Sequence, residues 1–179
     1  MAGSELSTAP AGGELRVGYL GLGSNMGDRR AQMEAGIAGL RAAGVEVTAS
    51  SSVWETEPVG EILDQPDFLN ACLEVSTALG PIELLDVVKQ IELDLGRDPN
   101  GPRHGPRPLD IDVLLLGDLV FEHERLSIPH REVLTRRFVM APLLELAPGL
   151  VLSTGESVED AFAVPRENQE VRVAGPPLT

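Results

Sequence analysis

Strand-like and helix-like segments follow one another in the order β-α-β-β-α-β, which predicts an α+β fold of the ferredoxin-like, split βαβ type. The prediction depends on two periodicities: apolar residues recur at every second position in four segments and at helical spacing in two others. We expect a single domain over about residues 15–162, with its helices on one face of the sheet. The small, polar ends of the chain, residues 1–14 and 163–179, are predicted to be flexible tails.

Local signals mark the first strand and the first helix. The segment LRVGYLGLG is predicted to be a strand, and DRRAQMEAGIAGLRAAG a helix that Asp28 caps and Gly44 ends. Met33, Ile37 and Leu40 form the apolar face of that helix. We interpret the glycines of GLGSNMGD as a tight strand-to-helix turn rather than a phosphate cradle, because their spacing fits neither the dinucleotide nor the Walker pattern.

The middle of the chain predicts two further strands and a second helix. VEVTASSSVWETEP alternates weakly and is predicted to be the second strand, and DFLNACLEVSTAL alternates clearly and is predicted to be the third. In the third strand, Phe68 and Asn70 lie on the face opposite the aliphatic residues. PIELLDVVKQIELDLG predicts a helix with Pro81 in its first turn and an apolar stripe of Leu84, Val88, Ile91 and Leu95.

The last part of the predicted domain begins with the strand LDIDVLLLG. DLVFEHERLSIPH is predicted to add a short strand pair. Because Pro129 and Pro142 interrupt the region that follows, HREVLTRRFVMAPLLELAP is predicted to form two short helical pieces rather than one helix.

Composition excludes several classes of function. The net charge of −14 argues against a protein whose main partner is a nucleic acid backbone. We find no apolar run of the roughly 20 residues that a membrane span needs, and no secretory signal pattern. One cysteine, Cys72, excludes an internal disulfide framework and fits a reducing cytoplasm. Seven of the thirteen arginines lie between Arg97 and Arg137, which indicates a confined anion site.

Two aspartates begin the fourth strand. Strict alternation places Asp110 and Asp112 on one face together with Leu114 and Leu116, with the carboxylate stems about 6–7 Å apart. Removing carboxylates from water is costly unless something compensates them. Paired metal ions in phosphoryl chemistry lie about 3.5–4 Å apart, so two such side chains can both reach them, and Mg²⁺ prefers such oxygen ligands.

The triplet Asp-x-Asp alone is more typical of a solvent-exposed strand start without metal. Three arginines directly upstream, Arg97, Arg103 and Arg107, favour the metal interpretation, because guanidinium groups bind phosphate through paired hydrogen bonds. A polyphosphate would then lie between the arginines and the metal ions. With three histidines and one cysteine far away, a zinc site is disfavoured.

Phe68 beside Asn70 offers a phenyl ring next to an amide, which can bind a flat polar heterocycle by stacking and edge hydrogen bonds. The alternative is that Phe68 only covers the edge of an apolar cluster. Phe138 is a candidate for the opposite face of such a sandwich. On the residues alone, two other functions stay open: a ferredoxin-like regulatory or nucleic-acid-binding module, and a metal-dependent phosphohydrolase.

The sequence resembles the 6-hydroxymethyl-7,8-dihydropterin pyrophosphokinase family (HPPK) of folate biosynthesis from about Arg16 to about Leu152. The resemblance is carried by the strings GLGSNMGDR, ETEPVG…DQPDFLNACLEV, IELDLGR, RHGPRPLDIDVLL and LSIPHREVLTRRFVMAPLLELAP. It implies transfer of pyrophosphate from ATP to the hydroxymethyl group of the dihydropterin, with release of AMP and with two Mg²⁺ ions as cofactors. We expect a cytoplasmic monomer whose partners are ATP and the pterin, without nucleic acid or membrane.

The resemblance also implies a role for individual residues. Asp110 and Asp112 match the metal ligands and, with Arg97 and Arg107, the catalytic set. The positions that match the pterin site are Thr56, Pro58, Val59, Phe68, Asn70, Asp110 and Phe138. The positions that match the ATP site are Glu92, Arg97, Arg103, Arg107, Val113, Arg125, Ser127, His130 and Arg136. Pro99 and His104 depart from the family pattern, which predicts fewer phosphate contacts from this loop.

Overall fold

The computed structural model describes residues 13–58, 64–101 and 106–179 of the chain. The elements in chain order are β1 (Arg16–Ser24), α1 (Arg29–Ala42), β2 (Glu46–Ser50), β3 (Val53–Thr56), β4 (Phe68–Thr77), α2 (Pro81–Asp94), β5 (Asp110–Leu116), β6 (Phe121–His123), β7 (Leu126–Ile128), α3 (Arg137–Leu146), α4 (Val158–Ala163) and β8 (Val171–Gly175). Three residues singled out from the sequence, Val59, Arg103 and His104, lie outside the described residues.

The centre of the fold is an antiparallel sheet of six strands in the order β5-β1-β4-β3-β8, with β2 also paired to β4. Strands β6 and β7 form a separate hairpin, as predicted. The predicted α+β class is therefore confirmed. No helix in the described part of the chain has the length and hydropathy of a membrane span.

Helix α1 has the termini that the sequence predicts. The carboxylate of Asp28 accepts a hydrogen bond from the backbone N–H of Ala31 at 3.0 Å, which satisfies one of the donors that a helix start leaves without an internal partner. Gly44 follows the helix with φ of +86°, a conformation that side chains disfavour.

The predicted second strand is in fact two strands, β2 and β3, which pair with successive halves of β4. Ser51 lies buried at the break between them. Its hydroxyl accepts a hydrogen bond from the backbone N–H of Cys72 at 2.9 Å and donates one to the carbonyl of Ser52 at 2.7 Å. The side chain thus takes the place of a ladder acceptor, so the buried N–H group of Cys72 keeps a partner where the strand breaks.

Strand β5 carries a bulge that the expected alternation missed. Tyr19 of β1 pairs with Leu115, but the next residue, Leu20, pairs with Val113, so Leu114 has no partner in the ladder. The bulge reverses the alternation beyond it. Leu116 therefore packs with α1 and α2 and does not share a face with the two aspartates.

The helices cover both faces of the sheet, so the expectation that they lie on one face was wrong. The core between the sheet and α1 and α2 includes Leu20, Met33, Leu73 and Val88. The opposite face also needs cover, because Cys72, Leu114 and Leu115 point there. The residues that bury them include Val139, Met140 and Leu143 of α3 and Val158 of α4.

Pro142 lies inside α3, so the prediction of two helical pieces was also wrong. The segment just before α3 is a turn. Proline removes one helix hydrogen bond, which here would have gone to the carbonyl of Phe138. We attribute the continuation to packing, because Met140 and Leu143 on either side of the proline are fully buried.

The C-terminal residues 163–179 were expected to be a loose tail, but Val171–Gly175 form a strand at the sheet edge. β8 pairs antiparallel with β3, with Arg172 opposite Glu55 and Val173 opposite Trp54. The sequence signal was weak because the strand is short and largely exposed, and its partner lies more than a hundred residues earlier.

Candidate active site

The two aspartates lie in rows that cross the centre of the sheet. Asp110 of β5 pairs with Gly23 of β1, which pairs with Asn70 of β4. In the next row Asp112 pairs with Gly21, which pairs with Cys72. Because glycine has no side chain, the middle of both rows is a trough between the carboxylates and β4.

These glycines correct the interpretation of GLGSNMGD as a turn. Gly21 and Gly23 belong to β1 and face the trough, and only Gly27, with φ of +64°, lies in the turn that follows. A Cβ atom at Gly23 would lie 3.3 Å from Oδ1 of Asn70 and 3.7 Å from Phe68. The alternation Leu-Gly-Leu-Gly was the available signal, because it places both glycines on one face.

A pocket, here called the sheet pocket, opens above this trough. It is lined by Gly21, Leu22, Gly23, Thr56, Glu57, Phe68, Asn70, Ala71, Cys72, Arg107, Asp110, Asp112, Leu114, Arg136, Phe138 and Val139. It therefore contains both predicted aromatic side chains and Asn70. Pro58, two residues beyond Thr56, is not among the lining residues.

The polar wall of the sheet pocket is fixed by a buried hydrogen bond. Nδ2 of Asn70 donates to the hydroxyl of Thr56 at 2.9 Å, and both residues are buried. This bond sets the direction of the amide and turns Oδ1 towards Gly23. Phe138 lies on another side, with the guanidinium of Arg136 5.6 Å from its ring centroid, within the range of a cation–π contact.

A second pocket, here called the hairpin pocket, lies between β5, α2 and the β6–β7 hairpin. It is lined by Leu85, Lys89, Ile111, Asp112, Val113, His123, Glu124, Arg125, Leu126, Ser127, His130, Arg131 and Glu132. Four predicted ATP residues, Val113, Arg125, Ser127 and His130, meet here. Asp112 lines both pockets, so the two cavities adjoin at this carboxylate.

Asp110 is paired with arginines because of the way α2 ends. Gly96, with φ of +103°, reverses the chain, and the backbone N–H of Arg97 bonds to the carbonyl of Glu92 at 3.0 Å. This termination brings Nη1 of Arg97 to 2.7 Å from Oδ1 of Asp110, and Nη1 of Arg107 lies 3.4 Å from the same atom. Burial opposes ionisation of Asp110, but the charge of Arg107 and the Arg97 hydrogen bond hold its pKa below the ordinary value.

Asp112 has a different environment. Its closest ion-pair partner in the described part of the chain is His130, whose Nε2 lies 4.0 Å from Oδ1, beyond hydrogen-bond distance. Burial and the negative charge of Asp110 raise the pKa of Asp112 to about 8. Two arginines thus compensate Asp110, whereas among the described residues only His130 lies within ion-pair distance of Asp112.

His130 is held in the neutral form beside Asp112. Burial lowers its pKa, and Nδ1 accepts a hydrogen bond from the backbone N–H of Glu132 at 3.1 Å. We therefore assign the ring proton to Nε2, the atom that faces the carboxylate. The backbone N–H of His130 bonds to the carbonyl of the bulged residue Leu114 at 2.9 Å.

Glu92 lies beneath β5 rather than in either pocket. It is 2% exposed, and its Oε2 accepts a hydrogen bond of 2.7 Å from the backbone N–H of Ile111. Nη1 of Arg97 lies 3.5 Å from the other carboxylate oxygen. Burial, followed by repulsion from Asp110, raises the pKa of Glu92. Its position supports both the backbone of β5 and the side chain of Arg97.

Sequence reasoning missed Asn25, which joins two loops next to the sheet pocket. The residue is 1% exposed. Its Oδ1 accepts a hydrogen bond of 2.9 Å from the backbone N–H of Arg107, and its Nδ2 donates to Oε1 of Gln65 at 2.8 Å and to the carbonyl of Pro66 at 3.1 Å. A buried asparagine directly after the glycine strand therefore ties the loop before Phe68 to Arg107.

The carboxylate oxygens of Asp110 and Asp112 suit a hard cation that takes its remaining ligands from water or from a bound substrate. Within the residues that the structure describes, no group of three or more His, Cys, Asp or Glu side chains could hold a metal ion. Two half-buried carboxylates, 24% and 38% exposed, leave most coordination positions to water and ligand oxygens. Mg²⁺ bound together with a polyphosphate has this requirement.

Comparison with known proteins identifies similar sequences. The model of the family described as 7,8-dihydro-6-hydroxymethylpterin-pyrophosphokinase (HPPK) matches residues 19–148. A 2-amino-4-hydroxy-6-hydroxymethyldihydropteridine pyrophosphokinase of Methylorubrum extorquens is 46% identical over 81% of this chain and 90% of its own length. One with the same name from Bacillus subtilis is 45% identical over 73% of this chain and 77% of its own.

Longer proteins match as well. A folate synthesis bifunctional protein of Arabidopsis thaliana is 45% identical over 71% of this chain, but the match spans only 26% of that relative. Among solved structures, the wild-type HPPK-DHPS of Plasmodium falciparum with pterin and p-hydroxybenzoate has a TM-score of 0.68 at 16% identity. That match covers 89% of this chain and 44% of the other, and it shows a shared fold.

Proposed function

The chain belongs to the 7,8-dihydro-6-hydroxymethylpterin-pyrophosphokinase family, and we propose that it transfers the pyrophosphoryl group of ATP to the hydroxymethyl group of 6-hydroxymethyl-7,8-dihydropterin, releasing AMP, in folate biosynthesis. The observation that carries the proposal is the meeting of two pockets at Asp112. A reaction between two bound substrates needs their sites to adjoin where the groups react.

The sheet pocket fits the pterin. Phe68 and Phe138 offer ring faces for stacking, and Asn70 offers an amide for the edge of the heterocycle. The hydroxymethyl group would then lie over the glycine trough, in front of Asp110 and Asp112. The backbone around Thr56, Pro58 and Val59 is proposed to line the pterin edge.

The hairpin pocket fits the nucleotide. We assign adenine to the backbone of Val113 and the rest of ATP to Arg125, Ser127 and His130 around it. Arg136 and Arg107 line the sheet pocket, on the side where the phosphates would cross towards the pterin. Arg103 is assigned to the phosphates by the sequence resemblance.

Arg97 and Arg107 have two roles in this proposal. Without ligand they neutralise Asp110. When the triphosphate binds, its oxygens compete for both guanidinium groups, which then bind the developing charge on the transferred group. The arginines keep Asp110 ionised in the free protein, and in the complex they stabilise the phosphates.

Asp110 and Asp112 would hold two Mg²⁺ ions. Such ions would supply positive charge against the phosphate oxygens and would help to position the hydroxyl group for attack on the β-phosphorus. Because the pKa of Asp112 is raised in the free protein, its carboxyl group would lose a proton to solvent on becoming a ligand. Buried Glu92 holds the backbone of β5 so that both carboxylates keep their direction.

We also propose that the fold is of the ferredoxin-like, split βαβ type, which the strand order β5-β1-β4 with β2 and β3 beyond it supports. The proposed working form is a cytoplasmic monomer, and the buried, unpaired Cys72 is consistent with a reducing compartment.

The test is to incubate the purified chain with ATP, Mg²⁺ and 6-hydroxymethyl-7,8-dihydropterin and to measure AMP. We expect AMP to form only when the pterin is present. Release of inorganic phosphate without the pterin would instead identify a phosphohydrolase. No pterin-dependent AMP under conditions in which a homologous enzyme is active would contradict the proposal.

A further inference from the structure

The C-terminal segment beyond the matched residues 19–148 contacts two walls of the sheet pocket. We call residues 166–175 the C-terminal clasp. Its first part lies against the start of α3, and its second part is the edge strand β8. The two regions it contacts carry Phe138 on one side and Phe68 on the other.

The first part of the clasp caps α3. Oε1 of Gln169 accepts a hydrogen bond of 2.9 Å from the backbone N–H of Arg137, the first residue of the helix. The side chain of the N-cap residue, Arg136, makes no capping bond, so Gln169 supplies this acceptor from a distant part of the chain. Arg136 and Phe138, on either side of the capped residue, both line the sheet pocket.

Arg166 strengthens this contact from the same segment. Its guanidinium donates to the carbonyl of Leu134 at 2.9 Å and to the carbonyl of Ala161 at 2.7 Å. Leu134 belongs to the turn that leads into Arg136. The clasp therefore holds both the turn before α3 and the first helical N–H group.

The second part of the clasp binds the opposite wall. Arg172 donates hydrogen bonds to Oε1 of Glu55 at 3.1 Å and to Oδ2 of Asp67 at 3.2 Å. Glu55 directly precedes Thr56, and Asp67 directly precedes Phe68; both Thr56 and Phe68 line the sheet pocket. The backbone pairing of β8 with β3 adds ladder hydrogen bonds to these contacts.

We propose that the C-terminal clasp sets the spacing between Phe68 and Phe138, and that Gln169 and Arg172 are positioning residues for the pterin. The inference rests on the proposed function. It adds to that function a determinant of pterin affinity that lies outside the residues matched by the family model. The bonds described above contact no residue of the hairpin pocket, and Arg136 is the one proposed ATP residue that they approach. We therefore expect ATP affinity to depend on the clasp less than pterin affinity does.

The main test compares Gln169→Ala with Gln169→Glu in the full chain, using the AMP assay. Alanine removes the acceptor for the Arg137 N–H group, and we expect the KM for the pterin to rise about threefold to tenfold, the size of effect that loss of a helix cap gives. The KM for ATP stays within twofold. Glutamate keeps an acceptor oxygen and places negative charge at a helix start, so it restores the wild-type KM.

A second arm tests the other wall. Arg172→Ala should raise the KM for the pterin by about twofold, since exposed ion pairs are weak, and Arg172→Lys should recover part of this. The double variant Gln169→Ala with Arg172→Ala should raise the KM for the pterin more than either single change does. Glu170→Ala, an exposed neighbour in the clasp, is the matched control and leaves both KM values unchanged.

Thermal unfolding followed by the fluorescence of Trp54, the single tryptophan, separates positioning from loss of the fold. Trp54 pairs with Val173, so it also reports whether β8 stays bound. If the wild type forms AMP only with the pterin and the double variant keeps the wild-type KM for the pterin, the inference is overturned. An equal rise in both KM values also overturns it. Absence of AMP in the wild type contradicts the proposed function instead.

Discussion

Nη1 of Arg97 donates a hydrogen bond of 2.7 Å to Oδ1 of Asp110, thirteen residues further along the chain. This ion pair explains how an apolar strand can begin with Asp110 and Asp112, because an arginine at the end of α2 compensates the charge of Asp110. The second, Asp112, is left with the raised pKa. The same guanidinium is the group that the proposed triphosphate would recruit.

Arg97→Ala should lower kcat about a hundredfold, because it removes a donor that stabilises charge in the transition state. Arg97→Lys should recover only part of the loss, since lysine keeps the charge but lacks the paired donors of a guanidinium group. Steady-state kinetics at saturating pterin and ATP measure both. Full activity in the alanine variant would show that Arg97 serves only the fold.

Asp112→Asn should lower turnover by about 10³, because a neutral amide is a poor magnesium ligand. Thermal stability without ligands should be retained or raised, since a neutral amide lies buried beside the charge of Asp110 without first having to take up a proton. Asp118→Asn, an exposed aspartate in the turn after β5, is the matched control. Turnover within tenfold of wild type in Asp112→Asn would remove the two-metal assignment.

Cation binding should strengthen with rising pH. Because the pKa of Asp112 is raised to about 8 in the free protein, at pH 7 the carboxyl group holds a proton that Mg²⁺ must displace. We expect Mg²⁺ together with a non-hydrolysable ATP analogue to bind about tenfold more tightly at pH 9 than at pH 7, measured by calorimetry. The pH dependence of this affinity should vanish in Asp112→Asn. If the variant shows the same pH dependence as the wild type, another group is responsible for it.

Gly23→Ala should raise the KM for the pterin about tenfold with little effect on the KM for ATP. The new methyl group would lie 3.3 Å from Oδ1 of Asn70, in the trough between the carboxylates and β4. Gly21→Ala is the comparison, because the atoms nearest to its methyl group would belong to the side chain of Leu114, at 3.5 Å or more. A larger effect at Gly21 than at Gly23 would contradict the assignment of the pterin edge to Asn70.

Asn25→Ala should destabilise the protein by about 2–3 kcal/mol, a fall in Tm of about 4–12 °C, because it leaves buried partners without hydrogen bonds. It should also raise the KM of both substrates, since the amide holds a loop on each side. Asn25→Asp keeps the acceptor for Arg107 and loses the donors to Gln65 and Pro66. Its effect should therefore be larger on the pterin KM than on the ATP KM.

The parts of the fold that the sequence predicted well are those set by neighbouring residues. Asp28 and Gly44 bound α1 by local conformation, and the alternation of β4 places Asn70 and Phe68 on the site face without reference to other elements. The Asp-x-Asp pair shares a face for the same reason. The resemblance then supplied residues such as Arg125 and Ser127, whose spacing in the chain carries no such signal.

The parts that were missed depend on distant partners. The break at Ser51 is stabilised by the backbone of Cys72, 21 residues away, and β8 exists as a strand because β3 offers it an edge. Pro142 fits inside α3 because burial of its neighbours outweighs one lost hydrogen bond. Asn25 gave no signal because its role consists of contacts with residues 40 and 82 positions away.

The extra residue at Leu114 lets one short strand serve two purposes. Before Leu114, the alternation of β5 directs Asp110 and Asp112 towards the sheet pocket. After it, the alternation is reversed, so that Leu116 packs with α1 and α2. The bulge also leaves the carbonyl of Leu114 outside the ladder, where it accepts a hydrogen bond from the backbone N–H of His130. Deletion of one residue at this point would keep the two acids in position but would remove the carbonyl that binds the backbone of His130. The bulge therefore connects the sheet to the loop that carries this histidine.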